Sequence, residues 1–198
     1  MAFRDFSFPQ VMADLGLTIN EADLFPKVAA LSLREDFAAA VTEGAQLALA
    51  VNTEKAKSEF IIAPILLELR RMMGGQFGLF SGIELNADPS RGLNGVCDFI
   101  ITRRAQQFIL TTPLIAIVEA KNDNLRNGLG QCIAAMVAAG LLNQSSPPPP
   151  TVFGVVTTGS TWKFLHLQGS VVTLDLPEYY VDNLGKIMGV LGHMIQTA

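Results

Sequence analysis

The stretch Ile115-Ala116-Ile117-Val118-Glu119-Ala120-Lys121 is an apolar run that ends in an acid and an amine two residues apart. Bounded by turn-forming residues and rich in β-branched side chains, it predicts a buried strand. Strand side chains alternate between faces, so Glu119 and Lys121 share one face. Placing both at the mouth of a hydrophobic sheet costs desolvation, which marks the pair as a site where something binds. An ordinary ion pair at a strand end is the simpler alternative.

A second segment, Gly95-Val96-Cys97-Asp98-Phe99-Ile100-Ile101, is also an apolar strand, with Asp98 as its single charge. Capping of a turn is the other reading of Asp98, and the apolar residues on both sides argue against it. If the two strands are antiparallel neighbours joined by Arg103 to Pro113, the carboxylates of Asp98 and Glu119 converge. At ~4 Å and an effective dielectric near 20 their repulsion is about 4 kcal/mol. A divalent cation, a nearby Lys or a raised pKa must offset it. Oxygen ligands of this kind favour Mg2+, with Mn2+ as a substitute, over zinc.

In these residues the chain resembles the PD-(D/E)xK nuclease superfamily, whose signature is an Asp on one strand and Glu-x-Lys on the next. The likeness extends to Glu59 in Ser58-Glu59-Phe60-Ile61-Ile62 and to Gln131 in Gly130-Gln131-Cys132-Ile133. It continues into Phe153 to Gly159 and Thr161 to Leu165, and spans roughly residues 55 to 168. Cys97 stands where the family often has Pro, which removes no ligand.

The resemblance implies an α/β fold: a restriction-endonuclease-like core (αβββαβ), its mixed central sheet flanked by helices, with N-terminal and C-terminal helical additions. It also implies metal-dependent hydrolysis of a phosphodiester in nucleic acid, with DNA as the expected partner. Asp98, Glu119 and the carbonyl of Ala120 would ligate Mg2+. Lys121 would orient the attacking water and stabilise charge on the phosphate. Glu59 would hold a second ion or one of its waters, and Gln131 would hydrogen-bond a phosphate or the Lys. Glu59, with Lys55 and Lys57 nearby, also reads as a solvated charge, and Gln131 as a brace for its helix.

At 198 residues and 49% hydrophobic residues the chain can bury one sizeable core, so a single domain over 1–198 is expected. Within it, 1–53 reads as a helical extension, 54–176 as the core and 177–198 as a closing helix. Net charge is −4 with 16% charged residues, so no global basic field attracts nucleic acid. A basic groove formed by Arg70, Arg103 or Lys163 would therefore favour catalysis. An acidic or apolar rim would favour the alternative, a catalytically silent module that assembles with other proteins. A homodimer is the expected assembly if both strands of a duplex are cut.

The longest apolar run free of charge is expected to fall far short of the ~20 residues that span a bilayer, so no membrane partner is expected. Met1 to Phe6 lacks a basic segment followed by an apolar one, and Cys97 and Cys132 lack CxxC spacing. A cytoplasmic location with two core thiols is the expectation. His166 and His193 have no metal-ligand spacing and read as structural.

Along the chain, 7 to 17 predicts a short helix or strand and 20 to 50 mostly helix. A strong helix follows at 54 to 73, with Ile62, Ile65, Leu66, Leu69 and Met73 on one face and Pro64 as a kink or first turn. Strands are predicted near 77–87, 95–103 and 113–121, then an alanine-rich helix at 126–142. Asn143 to Pro150 reads as a stiff polyproline loop. Strands near 152–158, 161–168 and 170–176 precede a last helix at 180–196.

Overall fold

The strand Leu114–Ala120 is buried at every residue, as an apolar run must be when both faces of a sheet are covered. It is the fourth strand, β4, of a sheet in a computed structural model describing residues 1–145 and 150–198. Among these residues there are eight strands: β1 (Thr18–Ala22), β2 (Gly78–Asp88), β3 (Leu93–Thr102), β4, β5 (Val152–Thr157), β6 (Thr161–Gln168), β7 (Val171–Asp175) and β8 (Tyr179–Tyr180). They form one mixed, mostly antiparallel sheet in the order β1-β7-β6-β5-β4-β3-β2, with β8 attached to β6. The pairs β4/β5 and β1/β7 are parallel and the others antiparallel.

Helix α1 (Phe8–Asp14) and helix α5 (Leu125–Leu142) cover one face, α5 being the crossover that two parallel strands require. Its Cys132, Ile133 and Ala135 pack in one cluster with Ile100, Ile117 and Val156. The other face carries α2 (Glu35–Val51), α3 (Glu54–Lys57), α4 (Ala63–Met72) and α6 (Leu184–Thr197). There Leu66, Met188 and Leu191 pack with Phe99, Val118 and Phe164.

The helix predicted at 54 to 73 runs from α3 to α4 through a π-helical turn, Ser58–Ile62. Pro64 supplies the reason: without an N–H, and with a ring that crowds the preceding turn, it breaks the regular ladder, and the wider turn absorbs it. Thr53 caps the start, its hydroxyl accepting from Ala56 N at 3.1 Å. Gly74 and Gly75, both at positive φ, end the helix.

Four readings need correction. Residues 20 to 50 are helical only in their second half: Thr18–Ala22 is an edge strand and helix begins only at Glu35. That strand is nearly all exposed and held by backbone pairing with β7, so it shows no apolar alternation. Secondly, α5 with the turn after it is long and apolar enough to cross a membrane by length and composition. Its polar interruptions hide this from a search for an unbroken run, and here it packs against β4 and β5. Thirdly, Val181–Asn183 is a single 3-10 turn, so α6 starts later than predicted. Fourthly, the loop expected to be polyproline from Asn143 to Pro150 opens instead as a 3-10 turn, Asn143–Ser145, and its residues 146–149 lie outside the described residues.

Candidate active site

Strand pairing brings the two motif segments together. Phe99 pairs with Val118 and Ile100 with Ile117, a register that sets Asp98 opposite Glu119. Asp98 Oδ2 accepts the Ala120 N–H at 2.7 Å. Because a strand residue turns its N–H and C=O to the same side, the Ala120 carbonyl also faces β3.

Glu119 and Lys121 point towards α5 and meet Gln131 there. Gln131 Nε2 donates to Glu119 Oε2 at 2.8 Å, and Lys121 Nζ donates to Gln131 Oε1 at 2.9 Å. Gly128 lets α5 lie this close: a Cβ there would come within 2.6 Å of Val156 Cγ1 and 2.8 Å of Lys121 Cγ. Glu119 is 0% exposed, and its second oxygen, Oε1, has no hydrogen-bond partner.

An unpartnered carboxylate oxygen in the interior is electrostatically expensive. Burial pushes the Glu119 carboxyl well above the usual range, and the Asp98 carboxylate pushes it further. Lys121 pulls the other way, and the negative charge of Glu54 adds to the upward shift. Added positive charge beside Asp98 and Glu119 would relieve this. The donor set of two carboxylates and a carbonyl suits a hard divalent ion. Among the described residues no three His, Cys, Asp or Glu side chains are already gathered as a metal cluster. Further ligands would have to be waters or substrate oxygens, as is usual for Mg2+.

A cleft of about 580 Å³ opens beside Asp98, between α3, α4 and the β2/β3 hairpin. Glu59 lines it but is exposed and paired to Lys55 at 2.6 Å. Glu54 lines the same cleft and is the acid that sequence reasoning missed.

The fold, by contrast, has a counterpart among solved structures. A chain of the DrdV–DNA complex, determined by cryo-electron microscopy, matches with a TM-score of 0.50 at 12% identity. The match covers 82% of this chain and 14% of that one. At this identity the likeness concerns the fold alone. No family model matches the chain, and no curated protein sequence does.

Of the basic residues singled out in the sequence, Arg70 and Lys163 are taken up by backbone carbonyls, while Arg103 is exposed. Arg70 Nε donates to Phe77 O at 3.0 Å, and Lys163 Nζ donates to Leu176 O at 2.9 Å. The cleft is walled instead by Glu54, Glu59, Leu67 and Leu79, with Lys55 as its cation. A buried cation that the sequence did not reveal stands nearby. Lys57, 3% exposed, donates to the backbone carbonyl of Asn122 and to its Oδ1 at 3.0 Å. Only tertiary packing brings these residues together. Burial raises the pKa of both Cys97 and Cys132, so neither is poised as a nucleophile.

Proposed function

We propose that this chain is a metal-dependent phosphodiesterase acting on DNA, built on the restriction-endonuclease-like core of the PD-(D/E)xK superfamily. The observation that carries this reading is the buried Glu119 carboxyl, its Oε1 unpartnered, opposite Asp98 and linked through Gln131 to Lys121. Asp98, Glu119 and the Ala120 carbonyl would hold Mg2+ or Mn2+, with Glu59 or Glu54 supporting from across the cleft. Bound there, the ion would neutralise charge on the phosphate and acidify a water. Lys121, kept in place by Gln131, would orient that water and stabilise the developing phosphate charge. Asp98 would stay aligned through the Ala120 N–H. DNA as substrate is supported by the fold shared with a chain of a DNA complex. Cutting both strands of a duplex would call for a homodimer, which light scattering tests.

A second reading is supported by the cleft itself, whose walls are acidic and apolar. Exposed Leu47, Leu49 and Val51 on α2 add apolar surface. This suits a nuclease-fold module that assembles with a protein partner. Cleavage of plasmid, single-stranded DNA and RNA in Mg2+ and Mn2+ separates the two. Cutting that is lost in Lys121→Ala and Asp98→Ala supports the nuclease. No cutting, with no rise in melting temperature on adding Mn2+, supports the assembly module.

A further inference from the structure

The Arg103–Pro113 connection between β3 and β4 carries the most exposed large apolar side chains of the described residues. Phe108 is fully exposed and Ile109 is 71% exposed. Such a pair is expensive to leave in water, yet the loop is held firmly. Arg103 N donates to Pro113 O at 3.0 Å and Thr102 Oγ1 to Arg104 O at 2.9 Å. Leu110 packs into the core on the α5 face. With its amide oriented to satisfy both ends, Gln107 donates to Leu79 O at 2.9 Å and accepts from Leu79 N at 3.0 Å. Phe108 is thus presented by a tethered loop, so little ordering entropy remains to be lost on binding.

The tether sets Gln107, the residue before Phe108, against Leu79 of β2. Leu79 lines the cleft that contains Asp98, three residues along β2 from Gly82, which lines it beside Asp98. At about 3.3 Å per residue this is about 10 Å, close to three stacked nucleotides. From 103 to 113 the loop has two cations, Arg103 and Arg104, and no acid, in a chain of net charge −4. Both arginines are exposed. A second copy of the chain would bring these arginines against their own equivalents, whereas a polyphosphate is complementary to them.

We propose that Phe108 is a stacking platform for an unpaired base of a nucleic-acid strand whose phosphates run from Asp98 along β2 to Arg103 and Arg104. The proposal rests on the nuclease reading of the cleft and names its substrate as nucleic acid with an accessible single-stranded segment. A base stacked on an aromatic ring gains affinity without regard to sequence, and the arginines hold the backbone.

The test measures binding of fluorescent single-stranded and blunt duplex DNA, in Mn2+, to full-length protein carrying Lys121→Ala to prevent cutting. Adding Phe108→Ala is expected to weaken single-strand binding about tenfold and leave duplex binding nearly unchanged. Phe108→Trp is expected to preserve binding and to show quenched indole emission with the single strand; the chain's one native tryptophan, Trp162, is buried. Unchanged single-strand affinity in Phe108→Ala overturns the proposal. So does equal loss for both DNAs, or Phe108-dependent binding to anionic vesicles without single-strand binding. Cleavage by the Lys121-bearing protein is followed in parallel. If it cuts while Phe108→Ala binds single strands normally, the platform fails and the nuclease stands. If it cuts nothing yet binds single strands through Phe108, the catalytic reading fails and the platform stands.

Discussion

Lys121 donates to Gln131 Oε1 at 2.9 Å, and no carboxylate lies within ion-pairing distance of it among the described residues. The amide separates Lys121 from Glu119 while touching both, so its two ends fix the ammonium and the carboxylate together. Replacing it with Leu removes both contacts at similar volume. On the nuclease reading, Gln131→Leu should lower single-turnover cleavage about 10- to 100-fold, the usual effect of losing a group that orients a catalytic ligand. KM should change little, because Gln131 acts through Lys121 and Glu119. Wild-type rates in this variant would remove Gln131 from the site.

Glu119 sets an opposite pH dependence from that of a salt-bridged acid. Its folded pKa is raised, chiefly by burial and then by Asp98. The folded chain therefore retains a proton that the unfolded chain releases near pH 4.3. Stability from this group is complete below that value and is lost as pH rises through the raised pKa. In EDTA, Glu119→Gln should raise the urea midpoint at pH 8, because the amide can still accept from Gln131 but carries no charge to desolvate. The gain should shrink at pH 5. Urea unfolding at the two pH values checks this, and parallel changes in wild type and variant would refute it.

The same buried charge makes a divalent ion stabilising if it binds as proposed. Millimolar Mn2+ should raise the melting temperature at pH 7.5, and Asp98→Asn should abolish the rise. Glu54→Gln should weaken the effect more than Glu59→Gln, since Glu59 is already paired with Lys55 at 2.6 Å. A larger loss from Glu59→Gln would restore the sequence-based assignment. Differential scanning fluorimetry over a Mn2+ titration measures all three variants.

Which parts of this molecule could be read in advance follows from how local their causes are. Asp98 and Glu119 stood out because a charge inside an apolar strand is visible from its neighbours alone, and the antiparallel register then sets them opposite one another. Strands β2 to β7 and helix α5 likewise carry a local signal, which in β4 and β5 is an unbroken apolar run. Strand β1 does not: Thr18-Ile19-Asn20-Glu21-Ala22 is an exposed edge that exists through pairing with Val171–Asp175. The π turn before Pro64 needed knowledge of how the helix absorbs a missing N–H. Glu54 lies five residues from Glu59 on the same helical segment, and only the orientation of that segment over β3 brings it to the cleft. Arg70 and Lys163 looked free in the sequence because backbone carbonyls, their actual partners, carry no sequence signal.

Lys57 depends on such partners entirely. The residue is 3% exposed, and its ammonium holds the carbonyl and side-chain oxygen of Asn122, the residue after Lys121. It thus ties α3 to the end of β4 that carries Glu119 and Lys121. Lys57→Met keeps much of the aliphatic stem but leaves both oxygens without their donor. The expected loss is about 1.5–3 kcal/mol, the range for a hydrogen bond to a charged group. It should appear as a lower urea midpoint with an unchanged m-value, since the unfolded chain exposes the same surface. Asn122→Ala removes the side-chain acceptor but keeps the backbone one, so its loss should be smaller. If Lys57→Met unfolds at the wild-type midpoint, the contact does not hold β4 to α3, and the placement of Lys121 rests on Gln131, Gly128 and the bond from its own N–H to Thr157 O.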